Sequence, residues 1–295
     1  MLHFITTGLT DALPRKMRQA WRGLCRRLRR DENTGPRDAI PVTFGELRIM
    51  PAKELRARLA GDQAEAARWV LLAAHHGLPE AQLALGQMLL DGHGVRHDRR
   101  AAMRWFRRAA DAGLAEAMNM VGRCHERGWG VAADPSAAAS WYRRAADRGL
   151  DWGQYNLANL LLHGIGVTRD RPAAYDLYRR AADQGHAKSM NLMGRILEEG
   201  WDVRRDPARA LAWYHASAKA GDFRGQYNLA TMLIGLGRAA EGREWFRAAI
   251  DGGSPDFLLD AGKALADREE PDLKRLGYVA LSRAAGALPE MRRPA

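Results

Sequence analysis

Apolar residues recur along this chain at two intervals, one nested inside the other. The shorter is helical. Across 80–91, Ala81, Leu85, Met88 and Leu89 fall three or four apart with polar residues between them, and Gly92 stops the run. A Gly-x-Gly-Val loop follows, here Gly92-His93-Gly94-Val95, and a second helical stretch opens at Asp98. An aspartate there can cap the free amides of a helix start. At Asp134-Pro135 and Asp206-Pro207 the next residue is proline, which suits the first helical position. The second stretch carries Trp105 and Ala109-Ala110 on one face and ends at Gly113.

The longer interval is 36 residues. It relates Trp69, Trp105 and Trp141, with Trp213 a further 72 on. It also relates Gly77, Gly113, Gly149, Gly185 and Gly221, and the capping Asp98, Asp134, Asp170 and Asp206. Each period predicts two antiparallel helices. One such pair cannot bury its apolar stripe alone, so successive pairs must stack. Alanine and glycine at fixed phase would let helices approach closely, and the tryptophan is expected to fill the space between repeats.

A 72-residue period lies within the first. Met118-Asn119, Gly122-Arg123 and Gly128-Trp129 recur as Met190-Asn191, Gly194-Arg195 and Gly200-Trp201. Likewise Gly153-Gln154-Tyr155-Asn156-Leu157-Ala158 recurs as Gly225-Gln226-Tyr227-Asn228-Leu229-Ala230. This reads as a duplicated pair of repeats whose matched positions should sit in like environments.

The consensus A-x-x-x-L-G-x-x-[L/Y]-x-x-G-x-G-V-x-x-D-x-x-x-A-x-x-W-[F/Y]-x-x-A-A-x-x-G resembles the Sel1-like repeat family, relatives of tetratricopeptide repeats, over roughly residues 51–286. The resemblance implies an all-α, right-handed α-solenoid of about seven helix pairs that serves as a protein-binding scaffold or adaptor. No cofactor, metal or small-molecule substrate is expected. Core repeats are placed at 80–115, 116–151, 152–187, 188–223 and 224–255, with divergent caps at 51–79 and 256–286. The fifth repeat has lost four residues of its loop. In the last, Gly262 takes the first-helix glycine position, Tyr278 the tryptophan position and Ser282-Arg283 the place of Ala-Ala. Outside the solenoid lie a flexible N-terminus (1–11), a helix (12–31), a linker (32–50) and a tail (287–295).

Charge changes the picture at one place. The formal net charge is +11, a balance that invites nucleic acid or an anionic membrane as partner. Residues 12–30 alone carry eight basic and no acidic residues, leaving +3 for the other 276. On a helical projection Leu13, Met17, Trp21, Leu24, Cys25 and Leu28 span an arc of about 120°, with the basic residues opposite. Met17, Arg18, Trp21, Arg22, Arg26, Arg27, Arg29 and Arg30 are the candidate contacts of this amphipathic helix. It can lie on an anionic membrane, dock its apolar stripe on the solenoid or a partner, or stay structureless until bound. With no run of 18 apolar residues, no secretory stretch and only two cysteines, the expected place is the cytoplasm, peripheral at the inner face of the membrane.

Candidate chemistry is weaker than its structural alternatives. Gly128-Trp129-Gly130-Val131-Ala132-Ala133 mimics a dinucleotide fingerprint, but a helix precedes it where a strand is required. Cys124 aligns with Met88, Leu160, Ile196 and Met232, so a buried thiol is expected. Its neighbour His125 would point about 100° away on a helix and cannot serve it as base. His93 and His97 lack a third ligand at metal-binding spacing. Disulfide-rich members of the family are linked with hydrolase activity, and this chain lacks their cysteines. The arginine ladder Arg107-Arg108, Arg143-Arg144 and Arg179-Arg180 suggests nucleic acid, the alternative reading. Asp111, Asp147 and Asp183 are expected to neutralise it. What remains is the inner face that first helices line in related repeats. Asn119, Arg123, Tyr155, Asn159, Asn191, Arg195 and Tyr227 are its candidate partner-binding residues.

Overall fold

A computed structural model describes residues 63–287. The expected N-terminal helix and linker, the start of the first cap and the last eight residues lie outside the described residues. Thirteen helices and no strand are found among those described. In order they are α1 (Gln63–His75), α2 (Pro79–Asp91), α3 (Arg99–Asp111), α4 (Ala115–Arg127), α5 (Pro135–Asp147), α6 (Asp151–His163), α7 (Arg171–Asp183), α8 (Ala187–Glu199), α9 (Pro207–Lys219), α10 (Phe223–Gly235), α11 (Ala239–Gly252), α12 (Pro255–Ala266) and α13 (Pro271–Ala287). Two compact units divide them, α1–α6 before Asp170 and α7–α13 from it onward. Within each unit consecutive helices pack on one another, except that α11 packs more on α13 than on α12, and first helices two apart also meet: α4 on α6, α8 on α10.

The boundaries follow from local chemistry. The side chains of Asp98, Asp134, Asp170 and Asp206 accept from the backbone amides of Ala101, Ala137, Ala173 and Arg209 at 2.9–3.0 Å, capping α3, α5, α7 and α9. At the other end of α4, Gly128 takes a left-handed φ of 68° and closes the helix with its amide on the Cys124 carbonyl. Gly130 is constrained by space as well as by φ: a Cβ there would strike the Arg99 carbonyl at the start of α3. At Gly130, and likewise at Gly166 against Pro135, the Gly-x-Gly loop thus seats one repeat on its predecessor, a packing reason for its recurrence.

Close approach within a pair depends on a helical glycine. A Cβ on Gly86, Gly122 or Gly194 would lie 2.5–2.6 Å from the ring of Phe106, Tyr142 or Tyr214 respectively. Those rings are fully buried, each contributing roughly 1.5–3 kcal/mol by leaving water. The tryptophans bridge repeats as expected, though unevenly: Trp141 is buried in the core of the first unit with residues of the preceding repeat, while Trp105, Trp213 and Trp245 are half-buried. His75 stands edge-on to Trp105 at 5.2 Å and His215 to Trp245 at 6.4 Å. The ring that faces the helical glycine within a pair belongs to the aromatic one place later.

The last pair is set two residues later than the sequence alignment placed it. Gly262 faces Leu281, as Gly86 faces Phe106, so Ala284-Ala285 stand for Ala109-Ala110. Tyr278 is 57% exposed and takes no tryptophan-like place. In the fifth repeat only residues 236–238 separate α10 from α11, where seven separate α2 from α3.

The 72-residue period is visible as matched joints. The Asn156 amide donates to the Asn119 carbonyl oxygen at 2.8 Å, and Asn228 donates to Asn191 at the same distance. The Gln82 amide reaches the Ala74 carbonyl at 3.2 Å, and Gln226 reaches that of Ala218 at 3.3 Å. Tyr142 donates to Glu126 at 2.7 Å, as Tyr214 does to Glu198 at 2.6 Å.

Candidate partner-binding faces

The predicted groove residues divide into support and surface. Asn119 and Asn191 are buried, 7% and 5% exposed, and each is occupied by the asparagine of the next first helix. They hold neighbouring repeats together. Tyr227 is half-buried and packs edge-on against Phe246 and Phe257 at 5.0 and 5.8 Å, with burial raising its phenol pKa. Tyr155 and Asn159 are half-buried on α6, Tyr155 standing edge-on to the exposed Trp152 at 6.0 Å.

Arg123 and Arg195 are placed by helix geometry over the loop tryptophans. The Arg123 guanidinium lies 5.2 Å from the ring of Trp129, and Arg195 lies 5.1 Å from Trp201, one pair in each unit. In both the tryptophan stands six positions after the arginine, so the glycine cap folds the loop back beneath the last turn of the helix. Trp129 packs on the core of the first unit with Val131. Trp201 donates its indole N–H to Glu199 at 2.6 Å, and the same carboxylate pairs with Arg195 at 3.4 Å. Both tryptophans are half-buried, anchored yet reachable. Asp202 beside Trp201 carries φ 54°, a left-handed backbone that a non-glycine residue rarely takes.

The arginine ladder departs from expectation. Arg107 pairs with Asp111 at 3.1 Å, but Arg179 turns back to Asp176 at 3.4 Å. Arg107 and Arg144 both lie against the Trp141 ring, at 4.7 and 3.9 Å, and Arg108 covers Trp105 at 4.6 Å. Aromatic rings therefore do interleave with the arginines, and among the described residues only one of the three expected aspartates neutralises its step.

Cys124 is fully buried, and burial pushes its thiol up to about 12. A thiol so held stays protonated and is a poor nucleophile. Burial lowers the pKa of His125, whose Nδ1 is buried without a hydrogen-bond partner. His93 and His97 are exposed. Sequence reasoning did not single out Glu126 and Glu198, which hold the buried tyrosines. Their identity at a 72-residue spacing was the available signal.

A Sel1 repeat model matches the chain at residues 79–114, 115–150, 153–186, 187–222 and 224–254. The chain belongs to the Sel1 repeat family. Sel1 repeats commonly build protein-interaction scaffolds that are generally non-catalytic. Among solved structures, the Sel1 repeat protein from Oxalobacter formigenes is similar with 26% identity and a TM-score of 0.67, over 78% of this chain and 98% of that one. The protein c5321, a protective antigen present in uropathogenic Escherichia coli strains with an SLR fold, is 30% identical with a TM-score of 0.60. The match covers 76% of this chain but only 49% of that protein. The immunity protein PA5088 from Pseudomonas aeruginosa, 16% identical with a TM-score of 0.51 over 73% of this chain and 84% of that one, shares the fold. A search of curated proteins returned no match. Among the described residues no Sel1 helix is long and apolar enough to cross a membrane.

Proposed function

We propose that this Sel1 repeat protein is a non-enzymatic adaptor whose first-helix faces receive an extended peptide or a helix of a protein partner. The observation that carries the reading is the arginine laid over a half-buried loop tryptophan, Arg123 on Trp129 and Arg195 on Trp201, repeated in each unit. Arginine and tryptophan dominate binding energy at protein interfaces, because one buries a large flat surface and the other offers several donors in a fixed fork. Arg123, Tyr155 and Asn159 in the first unit, and Arg195 and Tyr227 in the second, are the contacts; Asn119 and Asn191 support them from beneath. Nucleophilic chemistry draws no support from Cys124, given the state of its thiol.

Residues 12–30 supply the second limb, a basic amphipathic segment that tethers the adaptor to an anionic membrane at its cytoplasmic face. Its eight positive charges and one-sided apolar residues support that role. The two limbs are tested separately. An affinity pull-down with the full chain should capture a partner that an Arg123→Ala, Tyr155→Ala, Arg195→Ala variant loses; an unchanged capture would reject the first-helix faces. Co-sedimentation with phosphatidylserine vesicles should be abolished by removing residues 1–40. Equal sedimentation of both chains, or of neither, would reject the tether.

A further inference from the structure

The second helices of the first unit hold more positive charge than their own carboxylates balance. Helix α3 carries five arginines and one aspartate, and α5 carries two arginines and one aspartate. Of these seven arginines, Arg107 alone has a carboxylate within ion-pair distance among the described residues. The second unit is arranged otherwise. On α7, Arg171 and Arg179 are paired with Asp202 and Asp176 at 3.3 and 3.4 Å, and on α11 three carboxylates accompany two arginines. The surplus is therefore largest on α3, four positive charges against two on α9, and it does not belong to the basic segment at 12–30.

The arginines are also held in place. Trp141, only 7% exposed, is covered by Arg107 and Arg144 together, and Trp105 by Arg108. A guanidinium held over a ring has given up much of its rotamer freedom, while N–H donors remain at its edge. That arrangement suits carboxylates, which a guanidinium edge can grip with two parallel hydrogen bonds. It suits nucleobases poorly, because stacking needs an open aromatic face and the Trp141 ring is covered. We propose that the α3–α5 face is a docking surface for an acidic segment of a partner protein, a contact separate from the first-helix faces.

The test is fluorescence anisotropy of a labelled glutamate-rich peptide with the full chain. Binding should weaken as salt rises. Arg104→Glu with Arg143→Glu should weaken it about tenfold, the effect of losing two exposed ion pairs and placing two like charges there. Arg180→Glu with Arg209→Glu makes the same charge change in the second unit and should leave binding within about twofold, since neither arginine belongs to α3 or α5. Should the first variant melt early, Arg104→Gln with Arg143→Gln replaces it, with a smaller loss expected. A photo-crosslinking version of the peptide should label α3 and α5. No binding, equal losses in the two charge-reversed variants, or labelling of residues 12–30 would overturn the proposal. So would duplex DNA or single-stranded RNA displacing the peptide at lower concentration than unlabelled peptide does.

Discussion

Replacing Gly122 by alanine sets two known effects against each other. Mid-helix alanine is better than glycine by about 0.8–1.0 kcal/mol, because it costs less backbone entropy to fix. Against this, the new Cβ would stand 2.6 Å from two ring carbons of Tyr142. Carbon atoms rest about 3.5–4.0 Å apart, so the ring would have to retreat by about 1 Å. Tyr142 has little room to do so, being fully buried and tied through its hydroxyl to Glu126. Overpacking of this kind costs about 1–3 kcal/mol, and the lack of an escape route places it in the upper part of that range. The expected net is a destabilisation of about 1–2 kcal/mol. Gly235→Ala is the internal control: it also lies in a helix, but nothing stands within 4 Å of a Cβ there, so it should be neutral or stabilising. Urea unfolding followed by circular dichroism reads both as midpoint shifts. Gly194→Ala, under Tyr214, should match Gly122→Ala. If Gly122→Ala raised the midpoint as Gly235→Ala does, the account of the glycine–aromatic contact would be refuted.

Burial, followed by the bond to a carboxylate, raises the pKa of Tyr142 and Tyr214 above the ordinary value of 10.0. A raised pKa in the folded chain means stability is lost as pH climbs past that ordinary value. Tyr142→Phe with Tyr214→Phe should therefore flatten the alkaline limb of a melting-temperature profile; an unchanged limb would refute the assignment. A double-mutant cycle on Asn119→Ala and Asn156→Ala should give a coupling of about 0.5–1.5 kcal/mol in chemical denaturation. Additive losses would show that the joint does not depend on that hydrogen bond. In a Cys25→Ser chain, Cys124 should react with a thiol reagent at the rate of unfolding, and fast labelling under native conditions would contradict its burial.

Much of this architecture could be read from residue spacing because each repeated residue has one local job. Asp98 and its successors cap helices, and Gly128 closes one, wherever they stand in the fold. Positions whose job depends on a neighbouring repeat were harder to read. Trp105 stood out because it recurs in phase, but the contact that closes the pair belongs to its neighbour Phe106, which faces Gly86. Asn119 looked like a groove residue since its type is polar; its partner Asn156 is 37 residues away, and no pattern on its own helix points there. The arginine ladder was misjudged for a related reason. Pairing at i+4 on one helix was foreseeable, whereas the Trp141 ring that draws Arg107 lies one repeat further on. In the last pair Gly286 stands where earlier repeats have their closing glycine and so invited the alignment, while the packing follows Leu281, two residues beyond the place that alignment gave.

The paired asparagines bear on how such a chain can change length. Asn119 meets Asn156, but 36 residues beyond Asn156 stands Leu192, and the next asparagine in register is Asn228. Excision of a single repeat, 152–187, would bring Leu192 opposite Asn119 and strand a buried amide. Excision of two would restore asparagine to asparagine. By this arithmetic the chain gains or loses material without damage in steps of 72 residues, and the inheritable module is a tetrad of helices twice the size of the repeat that defines the family.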